Sequence, residues 1–142
     1  MIPPNEVFLS HSSADRQVAD SVAKTVRAHG VPVWYSPTNI NTAQQWHDEI
    51  GRALERCDWF VLLLSPSSVG SRWVKHEFMF ALREARYDER ITSVIVEECD
   101  HKALSWTLGA YQMESFVSHG REKSYRGIFK AWGLGFDPGK VS

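Results

Sequence analysis

Residues Trp59 to Leu64 read Trp-Phe-Val-Leu-Leu-Leu, six apolar side chains in a row with no polar residue between them. Side chains along a strand point alternately to opposite faces, so a strand with one wetted face alternates in polarity. A run without alternation is a strand covered on both sides, as happens where helices flank a parallel sheet. This run is therefore expected at the centre of such a sheet, and the rest of the chain must supply flanking strands and two layers of helix.

The remaining pattern supplies them, because short β-branched and aromatic runs alternate with segments of helical period. Val7–Leu9 is a first strand, followed by Ser12 and Ser13 as helix-capping residues and a helix in which Val18, Val22 and Val26 recur every four positions. Gly30 stops that helix. Val31–Tyr35 is a second strand, with Pro32 near its start favouring a short strand or a sheet edge. Thr42 and Gln45 have capping-box spacing ahead of the stripe Trp46, Ile50, Ala53, Leu54 and Cys57. After the central run, Ser65–Gly70 has turn composition and Ser71–Arg86 reads as a helix. Further strands are expected at Ile91–Val96 and near Phe116–Val117, separated by the poorly patterned His101–Met113. Ile128, Phe129 and Trp132 mark a closing helix, and 137–142 reads as a loose tail. The expectation is one α/β domain over residues 1–136, a parallel sheet of about five strands with helices on both faces, and a C-terminal tail at 137–142.

Composition narrows the function. With 16 Lys and Arg against 17 Asp and Glu, the 142-residue chain offers no basic field to a nucleic-acid backbone or an anionic membrane. No run of about 18 apolar residues and no signal-peptide pattern is present, so a cytoplasmic protein is expected. Cys57 and Cys99 do not form a disulfide framework and are expected as reduced thiols.

Ligands of open parallel sheets bind outside the carboxyl ends of the strands. There the chain carries Ser10-His11-Ser12-Ser13, Ser36-Pro37-Thr38-Asn39, Ser65-Pro66-Ser67-Ser68 and Glu97-Glu98. This is a rim of neutral hydroxyls and amides able to bind ribose or phosphate, although each residue alone is first a cap or turn residue. On the helix that follows the central strand, a wheel at about 100° per residue puts Val74, Phe78, Ala81, Leu82 and Ala85 in the core. Trp73, Glu77, Phe80 and Glu84 lie along its border. A carboxylate beside an aromatic ring at that border is partly desolvated, a setting suited to catalysis, whereas by itself it reads first as a solvated group near a helix N-terminus.

Other chemistries lack their residues. There is no Gly-x-Ser-x-Gly elbow and no P-loop ending in Gly-Lys-Ser/Thr, and Gly133-Leu134-Gly135 follows no strand. Cys99-Asp100-His101 has no further ligands at zinc spacing, so no metal site is expected.

Five segments in order, Val7-Phe8-Leu9-Ser10-His11-Ser12, Val33-Trp34-Tyr35-Ser36, Trp46 with Ile50, Phe60 through Ser65-Pro66, and Ser71-Arg72-Trp73-Val74-Lys75-His76-Glu77-Phe78, together resemble the TIR (Toll/interleukin receptor) domain family, bacterial members above all. The resemblance implies a flavodoxin-like fold with a variable loop over Ser36–Gln45 that serves assembly and gates the site. Enzymatic members cleave NAD between nicotinamide and ribose, giving ADP-ribose or a cyclic isomer, through a glutamate in a Trp-x-x-x-Glu arrangement. Trp73-Val74-Lys75-His76-Glu77 matches it. The resemblance thus implies Glu77 as the catalytic carboxylate. Ser10, His11, Ser12, Ser36, Trp46, Ser65 and Trp73 become substrate-binding candidates, with NAD as substrate and no cofactor. It further implies immune or anti-phage signalling through self-association, with a separate sensor or effector protein as a candidate partner. The alternatives are a non-catalytic TIR–TIR interaction module and, last, an enzyme acting on other nucleosides or nucleic acids. Two departures matter: Ser36 stands where the family usually has an acidic residue, and Ser10–Ser13 contains no arginine, so phosphate contacts must come from elsewhere.

Overall fold

A computed structural model describes residues 2–36 and 42–142. Its strands are β1 (Val7–Ser10), β2 (Val33–Trp34), β3 (Trp59–Leu64), β4 (Ile91–Ile95) and β5 (Gln112–Ser115). Its helices are α1 (Arg16–Ala28), α2 (Ala43–Arg56), α3 (Pro66–Val69), α4 (Arg72–Arg83), α5 (Phe116–His119) and α6 (Arg121–Ala131), joined by short 3₁₀ turns. The strands form one sheet in the order β2-β1-β3-β4-β5, every pair parallel.

The unbroken apolar run is the central strand, and the packing explains why it lacks polar residues. Trp59, Val61 and Leu63 join Val7 and Leu9 of β1 against α1 and α6, where Val22, Val26, Tyr125, Ile128 and Phe129 are buried. Phe60, Leu62 and Leu64 join Phe8 on the other face against Ile50 and Leu54 of α2 and Val74, Phe78 and Ala81 of α4. At the amino ends of the strands, the Asp58 carboxylate accepts the backbone N–H groups of Asn5 (3.0 Å) and Glu6 (3.1 Å), pinning the entry of β1 to that of β3.

Several boundaries differ from expectation for identifiable reasons. β2 has only two paired residues and lies at the sheet edge, as Pro32 foretold. Ser12 caps no helical N–H: its hydroxyl donates to Asp15 Oδ2 at 2.9 Å, and α1 starts only at Arg16. Ser65–Gly70 is not a plain turn: Ser65 and Ser68 form a reciprocal capping box around the one-turn α3. The helix expected to reach Arg86 stops at Arg83, because Glu84 is extended and the following turn drives Tyr87 into the core. There the Tyr87 hydroxyl donates to Leu54 O at 2.6 Å, and Arg86 donates to the carbonyls of Leu54 and Cys57 at the end of α2. The last strand is Gln112–Ser115 rather than Phe116–Val117, which belong to the short α5 capped by Ser115. Residues 137–142 lie against α1, with Ser142 N–H bonded to Thr25 Oγ1 and Asp137 N–H to His29 Nε2, both at 3.0 Å. Of the expected variable loop, 37–41 lie outside the described residues.

Candidate active site

β1 ends on Ser10, which is buried and whose hydroxyl donates to Glu77 Oε1 at 2.6 Å. Glu77 reaches that position because Ser71 caps α4, accepting the Val74 N–H at 3.3 Å, and Val74, Phe78 and Ala81 then turn one face to the sheet. The carboxyl is left beside the end of β1 at 8% exposure, deeper than the stripe border to which helical period assigns it. Burial pushes its pKa up to about 7, against the opposing pull of the Ser10 hydrogen bond. Oε2 has no hydrogen-bond partner among the described residues.

Two indoles line the same cleft as this group. Trp46 of α2 and Trp73 of α4 meet edge to face with ring centroids 4.2 Å apart, and the Trp46 Nε1–H donates to Ser36 Oγ at 3.0 Å. Arg16, the first residue of α1, lies over the Tyr35 ring at 4.6 Å, pairs with Asp20 at 3.2 Å and donates to the carbonyl of Ser36. His11, Ser13, Arg16, Ser36, Trp46, Trp73 and Glu77 line a cleft of about 290 Å³. Burial lowers the pKa of His11, so its imidazole is neutral at pH 7.

A wider, more open hollow of about 500 Å³ adjoins the cleft along Trp46 and Trp73. Ser12, Thr42 and Ser71 line it, and these residues head the 3₁₀ turn Ser13–Asp15, α2 and α4. The starts of α2 and α4, whose first-turn N–H groups of Gln45 and Val74 are capped by Thr42 and Ser71, thus lie beside this hollow.

The structure therefore gathers Ser10, His11, Ser36, Trp46, Trp73 and Glu77 around one cleft, with Ser12 on the adjoining hollow. Ser65 stands apart: it is fully buried, caps α3 and gives its hydroxyl to Asp15, the same carboxylate that Ser12 bonds. Arg16 is a lining residue that the sequence reading missed. Its signal was position, since a basic side chain at the start of α1 follows Ser13, the last of the hydroxyl-rich residues after β1, by three positions. No three His, Cys, Asp or Glu side chains among the described residues are grouped to hold a metal ion, and no helix there is long and apolar enough to cross a membrane.

The sequence model of the TIR domain family matches residues 7–128. NAD(+) hydrolase PdTIR of Paracoccus denitrificans is 26% identical over 76 residues, a match covering 53% of this chain and 25% of that protein. The chain spans about a quarter of the length of that curated relative. The crystal structure of the TIR domain of the Toll-related receptor TRR-2 from Hydra magnipapillata superposes with a TM-score of 0.73 over 89% of this chain and 97% of that one. At 13% identity this likeness speaks for the fold alone.

Proposed function

This chain belongs to the TIR domain family, and we propose that it cleaves NAD between nicotinamide and ribose with Glu77 as its catalytic carboxylate. The observation that carries the reading is Glu77 itself: a desolvated carboxyl, fixed by Ser10, facing a cleft walled by two indoles. The relative from Paracoccus, an NAD(+) hydrolase by name, supports the substrate class.

In NAD the nicotinamide nitrogen is a pyridinium. When the bond from ribose C1′ breaks, its electron pair returns to the ring, which departs neutral and needs no proton from the enzyme. Positive charge develops on C1′ and the ring oxygen of the ribose. A carboxylate held nearby in a poorly hydrated site stabilises that charge and accepts hydrogen bonds from ribose hydroxyls. Water then adds to C1′ and releases one proton, giving ADP-ribose, so the paired carboxylates of ordinary glycosidases are not required. Attack by a group of the bound nucleotide instead of water would give a cyclic isomer. In this reading Trp46 and Trp73 contact the substrate, while Arg16 and the starts of α2 and α4 at Thr42 and Ser71 receive the diphosphate. The same proposal includes activation by self-association in an immune or anti-phage signalling role.

The test is NAD consumption by concentrated protein, with nicotinamide release followed by chromatography. Native protein is expected to consume NAD, and Glu77→Ala to lose about 100-fold or more in rate while remaining folded. Equal rates would remove Glu77 from the mechanism. No turnover by the native chain, even when crowded, would instead favour a TIR–TIR interaction module.

A further inference from the structure

Glu77 and Trp73 line a second hollow besides the cleft. It is a groove of about 370 Å³ between α2 and α4, bounded by Ile50, Gly51 and Leu54 on one side and His76 and Phe80 on the other. Among the described residues, the only ones common to this groove and the cleft are Trp73 and Glu77, which therefore border both spaces. Gly51 is the unexpected residue. It sits inside the 14-residue α2, where glycine is the poorest helix former after proline. A Cβ added there would meet nothing within 4 Å, so neither close packing nor an unusual backbone angle requires a glycine. What its missing side chain leaves behind is the open groove.

We propose that this groove is a binding site for a small neutral heteroaromatic amide, and that it receives nicotinamide after the bond to ribose has broken. The inference rests on the NAD-cleaving reading of the cleft. The leaving ring becomes uncharged and planar at the moment its electron pair returns, and the groove next to Glu77 offers the surface such a ring prefers. Phe80 and Trp73 supply apolar and aromatic walls, and His47, His76 and Glu55 supply hydrogen-bonding groups at the rim for the carboxamide. The charged part of the substrate is served on the cleft side of Trp73 and Glu77, where Arg16 and the starts of α2 and α4 lie. Departure by way of the groove separates the leaving group from the water that must add to C1′.

Nicotinamide itself is the probe, titrated into the native protein and into Gly51→Leu and followed by amide and side-chain NMR. Leucine favours a helix and would project into open space, so this variant is expected to fold. In the native protein, shifts are expected at His47, Gly51, His76 and Phe80, and Gly51→Leu should weaken binding at least about tenfold. As an inhibitor of NAD cleavage, nicotinamide should weaken by the same factor in Gly51→Leu. Shifts confined to His11, Ser36 and Trp46, equal affinity in the two proteins, or no binding at all would overturn the groove site. Nicotinamide seated between α2 and α4 in a protein that never cleaves NAD would sink the glycohydrolase reading and leave the groove site standing.

Discussion

Glu77 sets function against stability. In water its carboxyl would ionise near 4.5, but burial in the fold holds its pKa at about 7. The folded chain therefore binds this proton more tightly than the unfolded chain does, so the group's contribution to stability is full below about 4.5 and is lost as pH rises through about 7. A difference of that size corresponds to about 3 kcal/mol of destabilisation once the group is ionised. Glu77→Gln keeps the shape and never ionises. Its thermal unfolding at pH 8 is expected to show a gain approaching about 3 kcal/mol over the native chain, shrinking towards zero near pH 4. A gain equal at both pH values would mean that the carboxylate is not desolvated. The same titration governs turnover. If the ionised form stabilises the developing charge, kcat/KM for NAD climbs with pH and levels off above about 7, the apparent pKa reporting the free enzyme. A profile flat from pH 5 to 9, within about a factor of two, would detach the rate from Glu77.

Among the elements, the two ends of the sheet have separate tasks. The carboxyl ends of β1 and β2 carry Ser10 and Ser36 to the cleft, while the amino ends hold the fold together through Asp58. Asp58 is buried, bonds the N–H groups of Asn5 and Glu6, and lies 3.5 Å from Arg90 just ahead of β4. Asp58→Ala leaves those backbone donors without their acceptor. It is expected to cost about 1–3 kcal/mol in urea unfolding, with NAD turnover of the remaining folded protein unchanged. A rate loss without a stability loss would link the two ends in a way these contacts do not. The elements also explain what local sequence can say. β3 was legible because two covered faces leave no room for polarity, and α1, α2 and α6 because each packs a single apolar stripe. β5 was not: at the sheet edge its Gln112 bonds Thr92 and the carbonyl of Gly127, so polar residues occupy a strand while the nearby Phe116 and Val117 sit on a helix. At the candidate site, helical period reached Trp73 and Glu77, but the depth of Glu77 depends on Ser10, 67 positions earlier. Ser65 misled in the opposite sense, since its place after the central strand suited a ligand while its hydroxyl is consumed by Asp15 and its backbone by α3.

At the scale of the whole molecule, topology opens the site. The strand order leaves β1 beside both β2 and β3, so the connections from β1 and from β3 run in opposite directions and part at the carboxyl ends. Such a switch point makes a crevice without further design. Among the described residues nothing closes over it. Trp73 remains 43% exposed, Trp46 is half-buried, and the hollow that adjoins them is open to solvent. A carboxylate stabilises oxocarbenium-like charge best where water is excluded, because charges interact more strongly at low dielectric. A second copy laid across the Trp46–Trp73 pair would shield it from water, and the proposed self-association then has a catalytic consequence. Association follows mass action, so activity per chain should rise with concentration until the assembly saturates. Diluting the protein 100-fold from a saturating concentration is expected to lower the rate per chain by about tenfold or more, and an inert crowding polymer should restore part of it. A rate per chain that stays constant across that dilution would mean that one copy completes its own site, and the open face along Trp73 would then need a different occupant.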